Sequence, residues 1–296
     1  MAPLAGERAE ASWPLALVFC HNCALVQAGA SLPPDLVLRS SPPGLAGQAP
    51  ARVRAAEARA AELVERCGLG WGSLVVGIGS NDGTMLAPFA ARGIEVLGVD
   101  PAPLAAQRAA EAGIPTLRAF FGETLAETLA RRGDVADLVL AGGALRRAGD
   151  LADLVGGIAR LLKPEGVVAL EFYSIVDIES GGTARIRHDT VFHLSLTALA
   201  RDLDAHGLHL NDAARSGAAG RIAAIAGHAT RRSARLDELL EEERALGVAD
   251  ASLYRRLLAS EPEPVEEPVI RRRTPVSAAA AIAAGRRARR AAVAAR

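Results

Sequence analysis

Residues 74–100 read LVVGIGSNDGTMLAPFAARGIEVLGVD, and this stretch limits what the rest of the chain can fold into. Leu74, Val75, Val76 and Ile78 form a short apolar, partly β-branched run of the kind that is buried on both faces of a parallel sheet. Gly77, Gly79 and Gly83 then surround Ser80, Asn81 and Asp82, giving a turn whose backbone can take positive φ and approach a ligand closely. A helix is predicted over residues 84–92, closed by Gly93, with free amides at its N-terminus pointing outward. A second strand over 94–99 ends on Asp100. Nucleotide-binding βαβ units place a carboxylate on a ribose diol about 20 residues beyond the glycines, which is where Asp100 falls.

The pattern repeats downstream. Helices are predicted over 103–112, 123–132 and 151–162, and strands over 116–120, 136–140 and 167–172, with Lys163-Pro164-Glu165-Gly166 as a turn between the last helix and strand. Alternation at this spacing implies a doubly wound α/β sheet, with ligands at the carboxyl ends of the strands. The spacing of Gly77, Gly79 and Gly83 misses the GxGxxG of dinucleotide folds by one residue, and Asn81-Asp82 puts polar side chains where a pyrophosphate needs bare amides. That favours S-adenosylmethionine, which has a sulfonium and no phosphate, over NAD. Phe120-Phe121 stands out in a chain that is 3% aromatic, and Phe121 is a candidate to pack on an adenine.

Composition narrows the partners. With 34 basic and 34 acidic residues the formal net charge is zero, so nothing in it argues for nucleic acid or an acidic surface as partner. No apolar run is long enough to span a bilayer, and the N-terminus lacks the basic-then-apolar order of a signal peptide, so a cytoplasmic protein is expected. Cys20 and Cys23 form a CxxC, two ligands of the four that a structural zinc needs, and neither His21 nor Cys67 completes a recognised spacing. The expected organisation is a cysteine-containing segment over 1–50, a principal domain over 51–260, and an acidic, proline-rich linker with an Ala/Arg tail over 261–296. The tail reads as a solvated helix or disorder.

GIGSNDGTML, LGVDPA, GIPT, AFFG, the Asp137 strand, LLKPEGVVALEF and HLSLTAL, taken in order, resemble the S-adenosylmethionine-dependent deoxysugar C-methyltransferases over residues 13–254. The resemblance implies a Rossmann-like class I methyltransferase sheet, preceded by a zinc module of which SWPLALVFCHNCALVQ resembles the second half. It implies that Gly79, Ser80, Asn81 and Gly83 line the methionine side of the cofactor, and that Asp100 and Pro101 meet its ribose. It also implies general-base removal of a proton beside the ketone of a nucleotide-linked sugar, with His188, Asp189 and Glu171 as catalytic candidates.

The chain departs from the family pattern. Gly77 stands where the family has an acid, Thr190 where it has the second histidine of a Tyr-His-Glu-His run, and Gly142, Gly143 and Arg147 replace an Asn-Asn pair and a following histidine. The first CxxC and the second Rossmann-like domain have no counterpart, so the sequence reads as a truncated member with degenerate catalytic motifs. A non-catalytic binding or auxiliary protein is the alternative expectation, and an NAD-dependent oxidoreductase the third.

Overall fold

A computed structural model describes residues 15–30, 32, 44–177, 186, 187, 189–216 and 220–259. The chain divides into Met1–Ser260 and Glu261–Arg296, and the linker and Ala/Arg tail lie outside the described residues, as does His188.

The strands are β1 (Leu17–Phe19), β2 (Val26–Ala28), β3 (Leu74–Ile78), β4 (Glu95–Val99), β5 (Thr116–Leu117), β6 (Ala136–Ala141), β7 (Leu162–Tyr173), β8 (Phe192–His193), β9 (His209–Arg215) and β10 (Arg221–Gly227). The helices are α1 (Pro50–Cys67), α2 (Ala87–Ala90), α3 (Pro103–Glu111), α4 (Glu123–Arg131), α5 (Leu151–Leu161), α6 (Leu196–Ala205), α7 (Ala234–Leu246) and α8 (Ala251–Ala259). None of the described helices is long and apolar enough to cross a membrane.

Seven strands form the central sheet in the order β5-β4-β3-β6-β7-β10-β9. From β5 to β7 all neighbours are parallel, and β10 runs antiparallel to both β7 and β9. This is the doubly wound α/β arrangement expected from the sequence. The strand order reverses between β3 and β6, so a crevice opens beyond their carboxyl ends, the usual ligand position in such sheets. Val75, Val76, Leu138 and Val139 are fully buried because helices cover both faces.

The helix termini explain several boundaries. Pro50, whose fixed φ suits a first helical residue, begins α1, and Gly68 ends it in the left-handed conformation at φ 61°. Asp150 caps α5 by accepting from the amides of Ala152 and Asp153. Glu243 of α7, 5% exposed, accepts from the amides of Leu196 and Thr197 and so caps α6 from outside.

Three expectations are corrected. The helix after the glycine turn is only Ala87–Ala90, because Thr84 is turned back onto Asp82, whose Oδ1 accepts its hydroxyl at 2.6 Å. The strand after α3 stops at Leu117 rather than 120. Residues 163–166 do not separate helix from strand: β7 runs from Leu162, and the ladder with β6 shifts register between Ala136 and Leu138. Gly166 permits this close passage, since a Cβ there would lie 2.7 Å from the Ala136 carbonyl oxygen.

Residues 15–30 do not stand apart from the rest of the unit. β1 and β2 form a hairpin, and Val26 and Gln27 pair with His193 and Phe192 in a three-stranded sheet. Val26 and Phe19 pack with Tyr254 and Leu257 of α8 in one apolar cluster. Cys20 and Cys23 sit in the hairpin turn. Hydrogen bonds from the Cys23 amide, the Cys23 thiol and the Asn22 amide lower the Cys20 thiol's pKa, whereas burial raises that of Cys23. Among the described residues no group of three or more His, Cys, Asp and Glu is placed to hold a metal.

Candidate functional site

The crevice is built around the turn that leaves β3. Gly79 and Gly83 take φ +66° and +78°, and Asn81, without glycine's freedom, is held at φ 54°. The bonds that hold it there consume the whole turn. Gly79 N and Ser80 N donate to Val99 O, Asn81 N to Asp100 Oδ2, Asp82 N to Asn81 Oδ1, Gly83 N to Ser80 O and Thr84 N to Asp82 Oδ1. The expectation of free amides at this helix start is therefore overturned. Each N–H already has an intramolecular acceptor, and the Asp82 carboxylate occupies the ground where a phosphate would need positive potential.

Asn81 and Asp82 have a second task. Ala46 N donates to Asn81 Oδ1 at 3.1 Å, Asn81 Nδ2 donates to Gly44 O at 3.3 Å, and Gly47 N donates to Asp82 Oδ2 at 2.8 Å. The 3₁₀ turn Ala46–Gln48 is thereby latched over the glycine turn. Asp82→Ala removes the latch at Gly47 and the bonds to Thr84. Limited proteolysis is expected to cut near 44–48 several-fold faster in this variant, with the far-ultraviolet circular dichroism unchanged. An unchanged cutting rate would show that the segment is held by something else.

Asp100 closes β4 and is 5% exposed. Its two oxygens accept from Asn81 N and Ala102 N, both at 2.8 Å. Burial raises its pKa and outweighs the two amides and Arg147, which pull it down. A carboxylate kept in such a place at a cost to its ionised form is a mark of a functional position. Pro101 is half-buried between Asp100 and Ala102.

On the other side of the turn lies a cavity of about 180 Å³ lined by Ala46, Arg59, Gly79, Asn81, Gly142 and Glu171 among others. Gly79, Ser80 and Asn81 thus share one cavity with Glu171, whereas Gly83 turns away and packs on Ile114. Phe121 is half-buried and lies against α5, where a Cβ on Gly157 would come 2.9 Å from its ring, while Phe120 is 57% exposed. Of the pair, Phe120 is the ring open to a ligand.

Asp189 is not in this cavity. It is 6% exposed and bonded to Arg147 at 2.7 Å and Arg187 at 3.0 Å, with Arg146 at 3.9 Å. Burial would raise its pKa, but the three guanidinium groups outweigh that and hold it below the ordinary carboxylate range. Asp189 anchors the approach to β8, just before which the Val191 amide donates to Arg146 O at 2.7 Å. Thr190, in the position of the expected histidine, is buried and accepts from Arg146 Nη1 at 3.3 Å. His193, 8% exposed, has its pKa lowered by burial to about 4, consistent with a packing residue.

Sequence reasoning missed Arg59, the 44–47 latch and the arginine ring around Asp189. Arg59 borders the apolar face formed by Ala56, Ala60 and Leu63, and that position on α1 was the only available sign.

Residues 76–168 match the model of a methyltransferase domain family. The chain is 31% identical over 257 residues to the C-methyltransferase NovU of Streptomyces niveus, an alignment covering 83% of this chain and 60% of that protein's length. Among solved structures it is similar to magnesium protoporphyrin IX methyltransferase from Synechocystis PCC 6803, at 15% identity and TM-score 0.47, covering 60% of this chain and 83% of the other. A glycopeptide N-methyltransferase, MtfA, is similar at 16% identity and TM-score 0.44, covering 59% and 94%.

Proposed function

We propose that this protein moves a methyl group from S-adenosylmethionine to a carbon of a small acceptor, and that the acceptor is a nucleotide-linked keto-deoxysugar. The observation that carries the reading is the 31% identity to a C-methyltransferase across 257 residues.

The donor set fits the cofactor. Turn amides that are all engaged, with Asp82 beside them, suit a ligand without phosphate and disfavour NAD. Asp100 stands at the end of β4 for a ribose diol, with one further lone pair on each oxygen. Phe120, the exposed ring of the pair, is assigned to the adenine in place of Phe121 in this reading. When bound, the cofactor supplies an electrophilic methyl on a sulfonium.

The chain's own work is to orient the acceptor carbon, keep water out and remove the proton beside the ketone. Asp189 is committed to arginines and is not the base of this proposal. His188, outside the described residues, is assigned that role, since an ordinary imidazole pKa of about 6.5 suits proton abstraction near neutral pH.

One observation favours the second reading, a cofactor-binding auxiliary protein without turnover: a buried Thr190 at the expected histidine's position. Incubation with methyl-labelled S-adenosylmethionine and a panel of nucleotide-linked keto-deoxysugars separates the two. Label on a sugar carbon is the expected result. Cofactor binding with no labelled product from any acceptor would favour the auxiliary reading.

A further inference from the structure

The cavity beside the glycine turn has one cationic and one anionic side chain in its lining, from separate elements. Arg59 projects from α1 with its side chain only 15% exposed. Glu62 engages its Nη1 at 2.8 Å. A guanidinium carries five donors, and among the described residues only Nη1 is engaged, so Nε and Nη2 retain capacity for a planar acceptor such as a carboxylate. Glu171 projects from β7, beside Gly142, where a Cβ would lie 3.6 Å from the Glu171 Cβ. Its side chain is 37% exposed, and the nearest cation, Arg221 Nη1, stands off at 3.9 Å.

Gly77 on β3 leaves little room for a side chain of its own. This is the position in the first strand where the family resemblance expects an acid. A Cβ there would meet Leu86 Cδ1 at 3.1 Å and Cγ at 3.2 Å, so leucine already fills the space that an acidic side chain would take. Among the described residues that line the cavity, Glu171 is the only carboxylate.

We infer that Arg59 and Glu171 form a clamp for the zwitterionic amino-acid end of the cofactor, Arg59 taking its α-carboxylate and Glu171 its α-ammonium. The clamp rests on the S-adenosylmethionine reading above and deepens it: Glu171 moves from the acceptor side to the cofactor side. The chain thereby restores, from the strand two places along the same sheet, a negative charge that β3 lacks. The cavity then selects ligands that carry an intact α-amino acid, and not nucleosides in general.

Titration calorimetry with two ligands tests this. S-Adenosylhomocysteine carries the amino-acid end, and 5′-methylthioadenosine has the nucleoside without it. Arg59→Met and Glu171→Gln are each expected to weaken S-adenosylhomocysteine binding by about 10–50-fold while changing 5′-methylthioadenosine binding by less than about twofold. Arg59→Lys should recover part of the loss. Equal losses for both ligands would mean a structural role and overturn the clamp. So would unchanged affinity for S-adenosylhomocysteine in both variants. Intact affinity in Glu171→Gln with methyl transfer abolished would return Glu171 to the acceptor side and likewise overturn it. If the wild-type protein binds neither ligand, the cofactor reading itself fails and the clamp falls with it. Melting temperatures of the unliganded variants control for folding.

Discussion

Asp100→Asn is expected to weaken S-adenosylmethionine binding by about 100-fold, on the basis that hydrogen bonds to a charged group contribute roughly 1.5–3 kcal/mol each. The substitution is not conservative in this setting. Both Asp100 oxygens accept from backbone N–H groups, those of Asn81 and Ala102. An amide has one oxygen, so its NH₂ must face one of two donors that cannot turn away. Asp100 then loses either its bond from the turn at Asn81 or its bond from Ala102 ahead of α3, and on the proposed reading the ribose diol would lose a charged acceptor at the same time. pH gives an independent check. Burial raises the Asp100 pKa, so the carboxylate protonates at a higher pH than an ordinary aspartate, near 3.9. Because its folded-state pKa lies above the unfolded value, holding Asp100 ionised subtracts from stability once the pH exceeds the unfolded pKa, and the fold carries that cost. Cofactor affinity should accordingly fall as the pH drops through the raised pKa. Titration calorimetry over a pH series measures both effects. Variant affinity within a few-fold of wild type, with no acid limb in the wild-type profile, would remove Asp100 from the site.

How much of this was legible in the sequence depends on whether the cause is local. β3 and β4 were readable because a strand covered on both faces is an uninterrupted apolar run, and Asp100 followed from its position at the end of β4. Asn81 and Asp82 were readable as turn residues but not as a latch, since their partners at 44–47 lie 35 or more residues away in a stretch without periodicity. The same holds for the pairing of Val26 with His193, which joins strands of three and two residues that are too short to show alternation. Asp189 was misplaced for a related reason. Its neighbour Thr190 marked a degenerate base, yet two of the three arginines around Asp189 come from residues 146 and 147, after β6. Phe121 and Phe120 differ only in which way each ring faces, a property set by the close approach of α5 at Gly157.

Asp212→Asn is expected to cost about 2–3 kcal/mol of stability at neutral pH, and the position links the fold to the cofactor cavity. Asp212 lies on β9 and is 4% exposed. It accepts from Ser233 Oγ at 2.6 Å and is paired with Arg66 Nη2 at 2.6 Å and with the Arg235 guanidinium. One carboxylate thus ties α1 to the start of α7. Removing the charge leaves two guanidinium groups facing each other. The cost stays below the ~3–5 kcal/mol of a fully buried pair because Arg66 and Arg235 side chains are 34% and 53% exposed and can turn toward water. Burial alone would raise the Asp212 pKa, but Arg235, Ser233 and Arg66 outweigh it and hold the group well below the ordinary range. For a carboxylate depressed in the folded state, the stabilisation is fully present above the unfolded pKa of about 3.9 and is lost as the pH falls from there toward the folded value. Urea unfolding should therefore give the full difference between wild type and variant at pH 7 and a smaller one near pH 3. Equal differences at both, or a difference below about 0.5 kcal/mol at pH 7, would mean that the cluster is held by its neighbours and not by the charge. Arg66 sits seven residues after Arg59 on α1, two turns along the same face. The carboxylate that anchors Arg66 thus fixes the helix that carries Arg59 into the cavity, so the same variant should also weaken S-adenosylhomocysteine binding and leave 5′-methylthioadenosine binding nearly unchanged.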